Sequence, residues 1–184
     1  MKVPVLFLDR DGIINLDKGF ISKKQDFIFN NLIFEICKLF NFSQFKIVII
    51  TNQSGIGRGK IDIKDFHELN LWMLQEFDRK KIRIEFVIAS ALDPDKDNSS
   101  EYERFRRKPY PGMFIDAGEI LPIDYQKSYM IGDKLSDGIA AQGAGVGNIY
   151  IISEQKIEDN SFMFLKSLDE LLRVCREAIK LSGG

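Results

Sequence analysis

Residues 3–15 read VPVLFLDRDGIIN, an apolar run of strand length that ends directly in two aspartates, Asp9 and Asp11. The run Val3–Leu8 holds no polar side chain, so it lacks the alternation expected of a strand with one solvated face. Continuous apolar runs are typical of strands that are buried on both faces, as in parallel sheets. This stretch therefore predicts an inner strand of a parallel sheet with two carboxylates at its carboxyl end.

Further apolar runs of the same kind follow along the chain and alternate with segments of helical periodicity. The runs are Lys46–Ile50, Ile84–Ala89, Ser128–Ile131 and Asn148–Ile152. Between Val3–Leu8 and Lys46–Ile50, apolar residues such as Ile33, Ile36, Cys37 and Phe40 recur at the spacing of a helix face. The alternation predicts an α/β fold, a doubly wound parallel sheet in three layers (α/β/α). We expect one domain over residues 1–184.

Capping residues mark the starts of three predicted helices. The candidates are Asn30 or Asn31, Asp62, and Ser167 with Glu170 in a capping box. The helix after Asp62 carries an apolar stripe at Phe66, Leu69, Met73 and Phe77. The polar stretch Asp93–Lys108 shows no such stripe, and we expect it to form a loop.

Composition excludes several classes of protein. The chain has 26 Lys and Arg residues against 27 Asp and Glu, a formal net charge of −1, which gives no long-range attraction to nucleic acid. Its apolar content of 45% argues against a disordered chain, and no uncharged apolar run is long enough for a membrane span. Cys37 and Cys175 lie in apolar helical segments, where buried free thiols are expected. With no export signal, we expect a cytoplasmic monomer.

Four polar clusters follow the ends of four predicted strands. They are Asp9–Gly12, Thr51–Gly59, Arg107–Pro109 after the polar loop, and Gly132–Asp137. Because ligands of parallel sheets collect at the carboxyl ends of the strands, we expect these clusters to meet. Taken singly, each has a simpler explanation, such as a solvated turn for Asp9–Gly12 or a helix cap for Gly132–Asp137.

Together the four clusters favour phosphoryl transfer. Asp9, Asp11, Asp133 and Asp137 would concentrate negative charge that a hard cation such as Mg²⁺ offsets. Thr51, Lys108 and the amides of the glycine-rich turn are suitable donors to a phosphoryl group. One carboxylate beside a second is the pairing needed for an aspartyl-phosphate intermediate, in which one attacks and the other transfers protons.

The motifs resemble those of the haloacid-dehalogenase-like (HAD) phosphohydrolases, from about Val3 to Ile152. DRDGIIN, DKGF, TNQSGIGRGK, RKPYPGM and YMIGDKLSDGIAA are similar to the D-glycero-D-manno-heptose-1,7-bisphosphate 7-phosphatases and the related histidinol-phosphatases. The SGI-x-RGK portion favours the heptose branch. The resemblance implies a Rossmann-like core and Mg²⁺-dependent removal of the C7 phosphate in heptose nucleotide-sugar biosynthesis. The intervals between motifs are too short for a cap domain, so we expect none.

The resemblance also assigns a role to each matching position. It makes Asp9 the nucleophile and a Mg²⁺ ligand, and Asp11 the general acid/base that gives its backbone carbonyl to the metal. Thr51 and Lys108 would bind the phosphoryl group, and Asp133 would be the remaining metal ligand. Asp137 would orient Lys108 or a metal-bound water. The implied substrate-binding residues are Asp17, Lys18, Gly19, Phe20, Thr51, Asn52, Gln53, Ser54, Arg107, Lys108 and Lys134.

The sequence departs from this family at a structural zinc site. The positions of its Cys-x-His and Cys-x-Cys ligands correspond to Ala89 and Ala91, and to Arg104 and Arg106. The single histidine, His67, lies far away on a predicted helix. We therefore predict that zinc is absent, and that the two added arginines favour a second phosphate on the substrate.

Three other functions stay open on the sequence alone. One is histidinol-phosphatase or another small-metabolite phosphatase. A second is polynucleotide 3′-phosphatase, because GIGRGK and the RKP followed by GM also resemble that domain, although the net charge of −1 argues against it. The third is a catalytically silent relative, against which every expected catalytic position is filled.

Overall fold

The computed structural model describes residues 1–96, 99–154 and 161–182, with side chains through residue 177. Six parallel strands form one sheet in the order β3-β2-β1-β4-β5-β6. The strands are β1 (Val5–Leu8), β2 (Lys46–Asn52), β3 (Phe86–Ser90), β4 (Tyr129–Gly132), β5 (Asn148–Ile152) and β6 (Met163–Leu165). All five predicted strands are present, with ends shifted by at most two residues. The α/β prediction is confirmed.

Helices cover both faces of the sheet. They are α1 (Leu32–Phe42), α2 (Ser54–Gly57), α3 (Ile63–Arg79), α4 (Glu101–Arg106), α5 (Gly112–Ile120), α6 (Leu135–Gly143) and α7 (Leu168–Ser182). Short 3₁₀ turns occupy Lys24–Asp26 and Tyr125–Lys127. Within the described ranges, no helix is both long and apolar enough to cross a membrane.

Alternate residues of β1 point into two separate cores. Leu6 and Leu8 pack among side chains of α1, α3 and α7, and Val5 and Phe7 pack against α5 and α6. All four are fully buried, which explains the continuous apolar run in the sequence. Each such side chain contributes about 1.5–3 kcal/mol through burial. The two cores hold β1 rigidly, and with it the aspartates that follow.

Several elements were not predicted, among them β6 and α4. The strand β6 has only three residues, too few for a clear apolar run. The polar stretch Asp93–Lys108 is not all loop, because α4 begins after a capping box in which the Ser100 hydroxyl accepts from the Glu103 amide (3.2 Å). The Ser100 amide donates in turn to the Glu103 carboxylate (2.9 Å). The loop prediction was wrong there, although the S-x-x-E signal was visible. Residues 97 and 98 lie outside the described residues.

The predicted helix caps were partly right. The Asp62 carboxylate accepts from the Lys64 amide (2.7 Å) and caps α3 as expected. The Ser167 hydroxyl accepts from the Glu170 amide (3.3 Å) at the start of α7. Asn31 occupies the cap position of α1 but makes no capping hydrogen bond with its side chain. Asn30 instead donates to the carbonyls of Gly12 (3.2 Å) and Ile13 (2.9 Å), so it supports the loop after β1.

Candidate active site

The topology gathers the predicted residues at one edge of the sheet. Since β1 lies between β2 and β4, the residues that end these three strands are neighbours. Asp9 follows β1, Thr51 lies at the end of β2, and Asp133 follows β4. Lys108 reaches the same place from the segment between α4 and α5. Residues far apart in the sequence thus share one site, as the motif spacing requires.

Three carboxylates form a cluster at this edge. Asp9, Asp133 and Asp137 each place one carboxylate oxygen so that all three oxygens lie within 4.8 Å of one another. Burial raises the pKa of Asp9 to about 7, although the charge of Lys108 opposes this. Burial also raises the pKa of Asp133 to about 6. The cluster is therefore costly to keep fully ionised without a further cation.

The residues of the cluster fit a magnesium ion. The Oδ1 atom of Asp133 is buried and has no hydrogen-bond partner in the part of the chain that the structure describes. An unpartnered carboxylate oxygen beside a second carboxylate, Asp9, is a donor set of the kind that Mg²⁺ prefers. The Asp11 carboxylate is not in the cluster, which leaves its backbone carbonyl as the atom available for the expected metal contact.

Lys108 is the buried cation of the site. Its ammonium group donates to Asp9 Oδ1 (2.7 Å) and to the Ile50 carbonyl (3.0 Å), and it lies 2.6 Å from Asp137 Oδ1. Burial alone would lower the pKa of Lys108, but the two carboxylates outweigh it and raise the pKa above its usual range. Lys108 therefore stays charged beside Asp9, where a phosphoryl group would need a cation.

Each carboxylate oxygen of Asp137 has its own partners. Its Oδ2 atom accepts from the backbone amides of Asp133 (3.2 Å) and Lys134 (3.0 Å), which caps the start of α6. Its Oδ1 atom pairs with Lys108. The helix cap that the sequence suggests and the contact with Lys108 that the family resemblance implies are therefore made by the same side chain.

The backbone of Lys108 is fixed to β2 by Asn52. The Asn52 amide donates to the Lys108 carbonyl (3.0 Å) and accepts from the Lys108 N–H (3.1 Å). Because both polar atoms of the Asn52 amide bond to the backbone of Lys108, Asn52 anchors the lysine. Its amide keeps little hydrogen-bonding capacity for a substrate. The segment that leads to Lys108 begins where the backbone of Ala91 packs closely against Gly57. A Cβ atom on Gly57 would lie only 2.3 Å from the Ala91 carbonyl oxygen.

The sequence did not identify Arg10 as a functional residue. Its guanidinium is fully buried and donates to the Asp11 carboxylate, and Gln53 is buried beside it. Gln53 was expected to contact substrate, but its side chain is hydrogen bonded to Arg10, Asp11 and Thr51. The available signal was an arginine placed between two aspartates directly after a buried strand.

The loop Asp17–Phe20 lies beside the carboxylate cluster. Lys134 connects the two, with its ammonium 3.1 Å from Asp17 and 3.7 Å from Asp133. Asp17 also accepts from the Gly19 amide (3.0 Å). Lys18 is exposed, and Phe20 is about half exposed, with the Lys60 ammonium 4.5 Å from its ring centroid. These side chains are accessible at the edge of the site, and Ser54, which follows Gln53, is half-buried.

A cavity of about 340 Å³ adjoins Lys108, and Lys96, Arg104 and Arg107 contribute to its lining. Arg107 is anchored there through a hydrogen bond to the Leu92 carbonyl (3.2 Å). Arg106 is not among the lining residues of this cavity and pairs with Asp116 (2.6 Å). Arg106 lines a neighbouring cavity that shares Lys96 and Ser99 with the first, and the expectation that Arg104 and Arg106 favour a second phosphate on the substrate stays a prediction.

The positions expected for zinc ligands in related proteins are Ala89, Ala91, Arg104 and Arg106. Both cysteines of the chain are buried thiols, Cys37 in α1 and Cys175 in α7. The single group of three possible metal ligands among the described residues is the carboxylate cluster. The absence of zinc stays a prediction, to be checked by metal analysis of the purified protein.

Comparison with known proteins identifies relatives over nearly the whole chain. A family model described as HAD-hydrolase-like matches residues 105–159. The D-glycero-alpha-D-manno-heptose-1,7-bisphosphate 7-phosphatase of Campylobacter jejuni is 38% identical over 177 residues, which cover 96% of this chain and 98% of that protein. The D-glycero-beta-D-manno-heptose-1,7-bisphosphate 7-phosphatase of Helicobacter pylori is 36% identical over 170 residues, 91% of this chain and 94% of that protein.

A solved structure shares the fold. It is the D,D-heptose 1,7-bisphosphate phosphatase of B. bronchiseptica complexed with magnesium and phosphate, with a TM-score of 0.81 and 22% sequence identity. The match covers 97% of this chain and 99% of that chain. At this identity the comparison supports the fold, and the magnesium and phosphate are those of that protein.

Proposed function

This chain belongs to the family of D-glycero-D-manno-heptose-1,7-bisphosphate 7-phosphatases, which are HAD-like phosphoric monoester hydrolases, and on that premise we propose that it removes the C7 phosphate of D-glycero-D-manno-heptose 1,7-bisphosphate. The observation that carries the proposal is the buried Asp9–Lys108 pair beside the carboxylate cluster. A nucleophilic carboxylate, a fixed cation and a magnesium-type donor set are what hydrolysis of a phosphate monoester through an aspartyl phosphate requires.

In the first step, a carboxylate oxygen of Asp9 attacks phosphorus. The bond from phosphorus to the C7 oxygen of the sugar breaks, and that oxygen takes a proton from Asp11. In the second step, Asp11 accepts a proton from water as the water attacks the phosphorus of the aspartyl phosphate. Inorganic phosphate leaves, and both aspartates return to their starting states.

The other residues bind the phosphoryl group and balance its charge. Thr51 donates its hydroxyl to the phosphoryl oxygens, and the ammonium of Lys108 supplies positive charge beside them. Asp9, Asp133 and the backbone carbonyl of Asp11 would hold Mg²⁺, which supplies positive charge against the phosphoryl oxygens when it is bound. Asp137 keeps Lys108 in place through the pair described above.

The sugar is selected by surface loops. We propose contacts from Asp17–Phe20, Ser54, Arg107 and Lys134, because these residues border the site, and a single domain without an inserted cap over residues 1–184. The two relatives are named for different anomers, α in Campylobacter jejuni and β in Helicobacter pylori. The proposal therefore covers both anomers, and the assay must compare them.

The test is phosphate release from each anomer of the bisphosphate with and without Mg²⁺, for the wild type and for Asp9→Asn. We expect Mg²⁺-dependent release of one equivalent, a heptose 1-phosphate product, and loss of activity in the variant. Histidinol phosphate and a 3′-phosphorylated oligonucleotide serve as competing substrates. A higher kcat/KM on either of these, or no phosphate release from any substrate, would contradict the proposal.

A further inference from the structure

Arg10 is a buried charge next to the proton-transfer residue. It is the largest of the fully buried side chains, and none of its surface reaches solvent. Its guanidinium carbon lies 5.7 Å from the ring centroid of Phe66. A guanidinium removed from water in this way must be paired with an acid. The acid is Asp11, the adjacent residue in the chain.

The Asp11 carboxylate is held by three side chains. Arg10 donates from Nε to Oδ2 (3.2 Å) and from Nη2 to Oδ1 (3.2 Å) and Oδ2 (3.0 Å). Gln53 donates to Oδ2 (2.7 Å), and Asn15 donates to Oδ1 (3.0 Å). Contacts to both oxygens fix the plane of the carboxylate as well as its position.

Gln53 extends this arrangement to the phosphoryl site. Its amide nitrogen donates to Thr51 Oγ1 (2.9 Å) as well as to Asp11, and its amide oxygen accepts from Arg10 Nη2 (3.1 Å). The side chain is buried and makes all three of these contacts at once. The position of Asp11 is therefore set relative to Thr51, the residue that binds the group being transferred.

We propose that Arg10 and Gln53 are positioning residues that hold the Asp11 carboxyl group where it gives its proton to the departing sugar oxygen. The inference rests on the proposed function, since it concerns the step in which the phosphorus–oxygen bond to the sugar breaks. Neither residue exchanges a proton or touches the substrate. An alkoxide leaves poorly unless it is protonated as it departs, so a misplaced acid slows this step.

The planar fork of arginine is essential to this role. A lysine at position 10 keeps the positive charge but cannot make the parallel contacts to both carboxylate oxygens. Arg10→Lys thus removes the paired contacts to the Asp11 carboxylate while it keeps the positive charge. Gln53→Met removes the hydrogen bond to Thr51 and keeps a side chain of similar length. Matched controls are the same replacements at exposed positions, Arg176→Lys and Gln75→Met.

The experiment compares two leaving groups. The first substrate is an alkyl phosphate, either the heptose bisphosphate or glycerol phosphate, whose alkoxide needs a proton. The second is p-nitrophenyl phosphate, whose nitrophenolate leaves without one. We compare kcat/KM because it reports the steps through loss of the leaving group, so that hydrolysis of the aspartyl phosphate does not enter.

For Arg10→Lys and Gln53→Met we expect kcat/KM on the alkyl phosphate to fall on the order of 10²-fold, as for loss of a general acid. On p-nitrophenyl phosphate it should change by less than about threefold, since no proton is needed there. Equal losses on both substrates, or no loss on either, would overturn the inference. If Arg10→Lys does not fold, as judged by circular dichroism, Gln53→Met decides, because it retains Arg10.

The outcomes separate this inference from the function itself. A wild type that hydrolyses glycerol phosphate and p-nitrophenyl phosphate but neither anomer of the bisphosphate would overturn the proposed substrate only, and the leaving-group comparison would still decide the role of Arg10. A wild type without any phosphatase activity would overturn both.

Discussion

Lys108 shows how completely a single side chain is specified at this site. Its three ammonium hydrogens face Asp9, Asp137 and the Ile50 carbonyl, and its backbone is paired with Asn52. A substrate phosphate would therefore meet a cation that is already in place, so little reorganisation is needed during the reaction. The same contacts explain why the lysine remains charged despite its burial.

Gly12 has an equally specific position. Its φ is +98°, and a Cβ atom there would lie 2.3 Å from Asp133 Oδ2. We expect Gly12→Ala to displace the Asp133 carboxylate and to weaken Mg²⁺ binding by about tenfold or more, as for other supporting contacts of metal ligands. The Mg²⁺ concentration that gives half-maximal activity is the measurement.

The control for this variant is Gly145→Ala. Gly145 has a similar φ of +85°, but nothing lies within 4 Å of the Cβ position. Both variants carry the backbone strain of a left-handed residue, about 1–2 kcal/mol, so any difference between them reports the contact with Asp133. An unchanged Mg²⁺ requirement in Gly12→Ala would show that Asp133 can shift without consequence.

At this scale the sequence predicted that Asp9, Asp133 and Asp137 come together, because each follows the end of a strand. The Asp11 carboxylate was expected to join them, and it pairs with Arg10 instead. The sequence did not predict the partners of Arg10, Asn52 or Gln53. Their roles depend on distances between side chains far apart in the chain, such as Asn52 and Lys108, and these follow only from the folded geometry. Substrate contact was assigned to Asn52 and Gln53 by resemblance, and the structure shows their amides bonded within the protein.

Among the elements, α4 is the clearest case of a short helix that depends on its cap. It has six residues, too few to be stable alone, and the reciprocal hydrogen bonds of Ser100 and Glu103 start it. Arg106 then ties its end to Asp116. The strands were easier to predict than α4 because their apolar runs are buried on both faces, whereas no residue of α4 is fully buried.

We expect Ser100→Ala to destabilise α4 by about 1 kcal/mol, the usual cost of losing a cap. Because Arg104 and Arg107 line the cavity beside Lys108, KM for the bisphosphate should rise while kcat stays within about twofold. Steady-state kinetics with hydrogen exchange of the α4 amides would check this. Ser43→Ala, which removes a hydroxyl bonded to the Leu39 carbonyl, is the control. Unchanged exchange of α4 would contradict the expectation.

For the whole molecule, the carboxylate cluster links stability to pH and metal. Burial raises the pKa of Asp9 to about 7 and that of Asp133 to about 6, both from 3.8. The folded, metal-free protein therefore binds more protons than the unfolded chain between about pH 4 and pH 7, and its stability falls as pH rises through that window. Mg²⁺ needs the ionised carboxylates, so it should stabilise more at high pH than at low pH.

The measurement is Tm with and without Mg²⁺ at about pH 5.5 and about pH 8, on either side of these pKa values. We expect the increase in Tm on adding Mg²⁺ to be larger at the higher pH. In Asp9→Asn, which lacks one of the two titrating groups, this pH dependence should weaken. An equal increase at both pH values in the wild type would show that the cluster does not bind the metal.

The overall architecture was the part most fully predicted, because alternating strands and helices leave few arrangements open. The cytoplasmic location, the monomeric state and the absence of zinc remain predictions. None of them follows from the fold, since each depends on the surroundings of the protein or on solution conditions.

The segment between β3 and Lys108 is held at both of its ends by residues that follow β2 or end it. The segment leaves the sheet where Ala91 meets Gly57, and it returns where Asn52 holds the Lys108 backbone. Both anchor points belong to the stretch that follows Thr51, so the catalytic lysine is located independently of what lies in between. We therefore expect changes within that interval to alter the choice of substrate more than they alter the chemistry at Asp9 and Lys108.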